Sequence, residues 1–216
     1  MRFVDRPYFL AGTAVPDWLS VADRAVRMRV NRVEPFVDGS GSLQAELAAG
    51  VLQHIHDDRW FHQTPAFYET CGELTRLFRN YLSRDDGYRP GFLGHITLEL
   101  LLDAVLIEAN PPLLDAYYQA LAQVDPLEIE AGVNKMSRET TTQLTKWIPL
   151  FQREQFLRDY VDPPRLLHRL NQVMRRIKLK QLPDEAADVL VDARGVVEQR
   201  VQELLPDEHF SIRVNG

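Results

Sequence analysis

Leu93-Gly94-His95-Ile96-Thr97-Leu98-Glu99-Leu100-Leu101-Leu102-Asp103-Ala104-Val105-Leu106-Ile107 is apolar on nearly every side of a helical wheel, and its ionisable residues stand four apart. Residues at that spacing stack on one side of an α-helix. The spacing predicts a largely buried helix with His95, Glu99 and Asp103 in one column. A second column precedes it on Leu43 to His62, where His54, Asp58 and His62 share an arc with Leu43, Leu47, Val51 and Ile55. Burying such groups costs several kcal/mol each unless they are paired, hydrogen-bonded or bound to a cation. Two facing columns can share that cost with one or two divalent ions.

Chance supplies a control. With 31 acidic residues and six histidines in 216, roughly one such triplet is expected by accident. Asp184, Asp188 and Asp192 form one. These aspartates fall opposite Leu190, Val197, Val201 and Leu204, the ordinary solvated face. The other two triplets fall on faces the helices should bury.

The rest of the chain reads as all-α. Helical periodicity runs almost throughout, and β-branched runs are too short and scattered to specify a sheet. The expected architecture is a single HD-like helical bundle over 1–216, with about eight or nine helices. The sequence is 45% hydrophobic, enough for one good core at this length. Pro16 fits the first turn of a helix from Asp17 to Val33. The turn Asp38 to Ser42 precedes the helix Leu43 to His62, and Thr64-Pro65 opens a third through Leu82. A polar loop, 83–90, ends it. The helix carrying His95 stops at Asn110-Pro111-Pro112. Further helices are expected at 113–123, 126–135, 138–159, 163–180 and 184–204.

Net charge of −6 and a pI near 5.5 argue against a general nucleic-acid binder. Cys71 is the only cysteine, which excludes an internal disulfide and a cysteine zinc cluster and fits the reducing cytoplasm. Met1 to Arg6 has no apolar signal core, and no apolar run is long enough for a membrane span. The sequence sets no oligomeric state. P-loop, dinucleotide-glycine and Gly-x-Ser-x-Gly patterns are missing.

Mixed imidazole and carboxylate ligands suit Mn²⁺, Fe²⁺ or Zn²⁺, and an oxygen-rich site also admits Mg²⁺. Such ions generate hydroxide near neutral pH and neutralise charge on a phosphoryl oxygen, so hydrolysis is the expected reaction class. The ligand candidates are Asp17, His54, Asp58, His62, His95, Glu99 and Asp103, with Asp58, Glu99 and His95 as catalytic candidates and Asp58 as the bridge in a two-metal site. Asp17 enters because it opens a helix after Gly12-Thr13-Ala14-Val15-Pro16, although an acid there also complements the helix dipole. His56-Asp57 ranks second, because both point away from the Leu47 face. His168 and His209 read as surface residues. The basic stretch from Arg165 to Lys180 reads as a solvated face, or as a dock for a phosphate group or an acidic carrier-protein helix.

Gly12 followed by Asp17, then Gly50, His54 and Asp58, then Ile96-Thr97-Leu98-Glu99 leading to Asp103, form an ordered set. Glu154-Gln155-Phe156-Leu157 with Tyr160, and Glu198 to Pro206, continue it. With these markers the chain resembles the acyl carrier protein phosphodiesterase family, a divergent HD-like helical group, from about Phe9 to Pro206. The resemblance implies a manganese- or magnesium-dependent phosphodiesterase acting on the phosphopantetheine arm of acyl carrier protein. Gly12 stands where that family typically carries a histidine, Ile55-His56-Asp57 replaces its basic residues, and Glu99 replaces a shorter Asp. A weaker resemblance is to zinc-dependent phospholipase C-like proteins. The alternative to an enzyme is a helical scaffold or binding protein that keeps the polar cluster without activity.

Overall fold

The computed structural model describes residues 3–82 and 87–206. Residues 83–86 of the expected polar loop and His209 lie outside them. Among the described residues all regular structure is helical, with no strand. No helix is long and apolar enough to cross a membrane.

The chain divides into two compact units, each built from two segments. The first comprises the chain up to Trp60 together with Pro111–Gln155, and the second comprises Phe61–Asn110 and the chain from Phe156 onward.

In the first unit, α1 (Pro7–Ala22) opens with Pro7 in its first turn and continues through Pro16. The expected helix from Asp17 to Val33 is therefore corrected. A proline inside a helix removes one backbone bond and crowds the carbonyl four residues back. Burial of Phe9, Leu10, Val15, Trp18 and Leu19 offsets that cost. The chain then runs without helix from Asp23 to Arg29 into α2 (Val30–Val33).

Next comes α3 (Leu43–Phe61), which crosses α1 where two glycines meet. A Cβ on Gly12 would lie 2.3 Å from the Leu47 carbonyl oxygen, and one on Gly50 would lie 2.0 Å from that of Phe9. Only hydrogen fits at either position. Arg6 locks the same pair of helices by reaching Glu46 through two 2.8 Å bonds. Helices α6 (Pro111–Leu121), α7 (Pro126–Met136) and α8 (Leu144–Glu154) complete the unit. Phe151 of α8 meets Trp18 edge-on at 5.5 Å. The expected helix 138–159 is shortened at both ends: residues 137–143 are not helical, and Gln155 takes a left-handed conformation that stops α8.

The second unit is built on α4 (Pro65–Tyr81) and α5 (Pro90–Ala109), with a 3-10 segment (Phe156–Val161), α9 (Pro163–Arg176) and α10 (Ala186–Leu204) packed around them. Again a glycine sets the closest approach, since a Cβ on Gly94 of α5 would stand 2.8 Å from the Thr75 backbone nitrogen of α4. Arg200 of α10 reaches Glu69 of α4 at 2.5 Å. Asp159 holds Arg169 at 2.5 Å and Arg165 at 3.7 Å, so part of the basic stretch is internally paired.

Candidate metal centre

Thr64 sets the entrance to the site. Its side chain accepts a bond from Phe67 N as the N-cap of α4 and also donates to Phe61 O at 2.9 Å. These bonds tie the end of α3 to the start of α4 through a tight turn. His62 lies in that turn, one residue beyond the end of α3. His95 and Glu99 stand one turn apart on α5, whose approach to α4 is fixed at Gly94.

The three side chains converge on a small triangle. His62 Nε2 and His95 Nε2 are 3.2 Å apart, and each lies 3.0 Å from Glu99 Oε1. The imidazoles stack at 4.9 Å with planes 25° apart. Buried Phe67 meets both edge-on, at 4.6 Å from His62 and 5.1 Å from His95. Phe61 closes the aromatic wall at 5.0 Å from Phe67. The Glu99 side chain is 36% exposed and that of His62 27%, so the triangle is walled on one side and open to solvent on the other.

Glu99 carries the clearest electrostatic signature. Burial pushes its pKa up, but the hydrogen bonds and charge of His95 and His62 together outweigh that and hold it below the ordinary glutamate value. Cys71 of α4 responds oppositely: burial, with a smaller push from the Glu99 charge, raises its thiol pKa despite a bond from Thr75. A thiol held protonated is a poor nucleophile and a poor metal ligand.

Three nitrogen and oxygen donors this close can hold one cation. The same atoms are within hydrogen-bond distance of one another, so each imidazole can donate to or accept from its neighbours when no ion is bound.

Of the seven expected ligands, His62, His95 and Glu99 come together, and they form the one such potential metal-binding group among the described residues. Asp103, one turn beyond Glu99 on α5, is exposed. Asp17, His54 and Asp58 belong to the first unit, where Asp17 and Asp58 are exposed and His54 is half-buried. The helix opening that recommended Asp17 is not there, because residues 12–16 are already part of α1. His56 is exposed, and its neighbour Asp57 accepts a 2.8 Å bond from Gln53. Asp184, Asp188 and Asp192 are all exposed, as their wheel predicts. Gly12, at the place the family resemblance gives a histidine, has no room for any side chain.

Sequence reasoning missed Phe61 and Phe67. Their i, i+6 spacing follows no single-helix rule, although Thr64-Pro65 between them marks the turn that brings them together. No family model, curated protein or solved structure matches the chain.

Proposed function

We propose that this chain is a divalent-metal-dependent hydrolase whose ion is held by His62 Nε2, His95 Nε2 and Glu99 Oε1, with a phosphodiester as substrate. The observation that carries the reading is the convergence of those atoms to 3.0–3.2 Å. Two imidazoles with one carboxylate suit Mn²⁺, Fe²⁺ or Zn²⁺ better than Mg²⁺. When bound, such an ion acidifies a water and draws charge from a phosphoryl oxygen. Phe61 and Phe67 shield one side and leave the solvent-facing side for water and substrate. The phosphodiester, the HD-like architecture and acyl carrier protein as partner rest on the family resemblance alone. The metal site rests on these three residues and asks nothing of Asp17, His54, Asp58 or Asp103.

The test is elemental analysis after loading with Mn²⁺, followed by hydrolysis of bis-p-nitrophenyl phosphate. The parent should hold about one ion per chain, and His95→Ala and Glu99→Gln should hold none while keeping their helical circular dichroism. Equal metal in all three proteins defeats the site. Metal retention without hydrolysis defeats the hydrolase and leaves a metal-binding scaffold.

A further inference from the structure

The segment after α1 places arginines in a row. Asp23 O accepts from Val26 N at 3.2 Å, and Val26 and Val33 are buried, so the backbone between them is pinned to the first unit. Arg27 and Arg29 flank Met28 in non-helical chain, and Arg32 follows on α2. The turn after α7 brings Arg138 to the same place. That turn is fixed by Ser137 Oγ donating to Glu139 O at 2.7 Å and by Asn134 bonding Thr141 in both directions.

Arg27, Arg29, Arg32 and Arg138, with Asn31, line a cavity of about 300 Å³ whose only acid is Glu139. An adjoining cavity of about 480 Å³ shares Arg29 and Asn31 and adds Arg59 and one acid, Glu34. Arg138 has a 3.6 Å pairing with Glu139, while the side chains of Arg27, Arg29, Arg32 and Arg59 have neither hydrogen bond nor ion pair among the described residues. Elsewhere in the protein Arg6, Arg169, Arg194 and Arg200 each hold a carboxylate. In a chain with 31 acidic and 25 basic residues, acids are not scarce. Like charges gathered in a concavity repel one another unless an anion joins them.

We propose that this arginine-lined cavity binds a small phosphate-bearing molecule. The basic residues lining both cavities are all arginine, whose planar fork engages oxyanions through paired bonds. A phosphate carries up to two charges and three terminal oxygens, enough for three forks at once, whereas a carboxylate offers one charge and two oxygens. A cavity near 300 Å³ is the size of a small-metabolite site. The chain's net negative charge disfavours a polyanion tracking across its surface.

The probe is inorganic pyrophosphate, titrated calorimetrically into the full chain at constant ionic strength with EDTA present, so that metal at His62, His95 and Glu99 plays no part. Saturable binding is expected, weakened at least tenfold in Arg29→Gln/Arg32→Gln. A control pair with the same charge change on other exposed positions, Arg79→Gln/Arg175→Gln, should bind like the parent. Circular dichroism checks that each variant is folded. The proposal is overturned by the lack of a saturable heat, by equal weakening in both pairs, or by citrate binding as tightly as pyrophosphate. None of these outcomes bears on the metal site, and loss of the metal site leaves them unchanged.

Discussion

Replacing Gly12 with alanine sets two effects of known sign against each other. Alanine favours a helix interior over glycine by about 1 kcal/mol. Against this, the new Cβ would sit 2.3 Å from the Leu47 carbonyl oxygen and 3.0 Å from Gly50 Cα. Those neighbours are backbone, which cannot rotate aside as a side chain can, so α1 and α3 must part by about 1 Å to restore ordinary contact. Overpacking of this kind costs about 1–3 kcal/mol, and the parted crossing also loses dispersion along its length. The expected net loss is about 1–2 kcal/mol. Gly50→Ala, whose Cβ would meet Phe9 O at 2.0 Å, should behave alike. The double variant should cost less than the two singles together, because one separation serves both. Gly72 of α4 and Gly195 of α10 are the controls: nothing stands within 4 Å of their Cβ positions, so alanine there should stabilise by about 0.5–1 kcal/mol. All three tryptophans, Trp18, Trp60 and Trp147, belong to the first unit, so their fluorescence follows the affected part in a urea titration. At an m-value of about 2 kcal/mol per molar, the Gly12→Ala midpoint should fall by roughly 0.5–1 M. A Gly12→Ala midpoint equal to or above the parent's would refute the crossing as the reason for glycine.

Glu99 sets a pH dependence for the metal-free protein. Its folded pKa lies below the ordinary value, so the stability it contributes is complete above the unfolded carboxylate pKa of about 4.3 and is lost as pH falls through the lower folded value. In EDTA, the stability gap between parent and Glu99→Gln should shrink as the pH falls below about 4.3; a gap that widens there contradicts the histidine pairing. Thr97 lies on α5 between His95 and Glu99, buried, with a hydroxyl that has no hydrogen-bond partner among the described residues. Thr97→Val keeps the shape and removes that desolvated group, so it should stabilise by about 1 kcal/mol in circular-dichroism-monitored urea unfolding. A loss of that size instead would mean the hydroxyl is satisfied in solution.

The helices that could be read from sequence are those whose ends carry their own chemistry. Thr64-Pro65 supplies both a cap and a first-turn proline, and α4 starts at Pro65; Asp125-Pro126 and Asp162-Pro163 do the same for α7 and α9. Pro16 follows Val15, which offers no cap, and it sits inside a helix whose apolar faces decide the outcome. The site divides along similar lines. Residues four apart on an ideal helix are offset by about 40°, so a third member eight residues on is rotated by about 80° from the first. His95 and Glu99 therefore share a face while Asp103 emerges in solvent, and the single-turn pair was the legible part. His62 meets His95 and Glu99 by a route that helical spacing does not supply. The expected helix carried it in a column with His54 and Asp58, yet it is the turn after Phe61, closed by Thr64, that hands it to the unit holding His95. The arginine cavity lay beyond any such rule. Arg27, Arg29 and Arg32 look like scattered charges on one helix surface until Pro16 is placed inside α1 and α1 ends at Ala22, which leaves Arg27 and Arg29 in non-helical chain before the short α2 that carries Arg32, with Arg138 added by a distant turn. Spacing along one helix identifies donors that share a turn. Where a ligand must be gathered from separate segments, the tight turns and glycine crossings decide which donors meet.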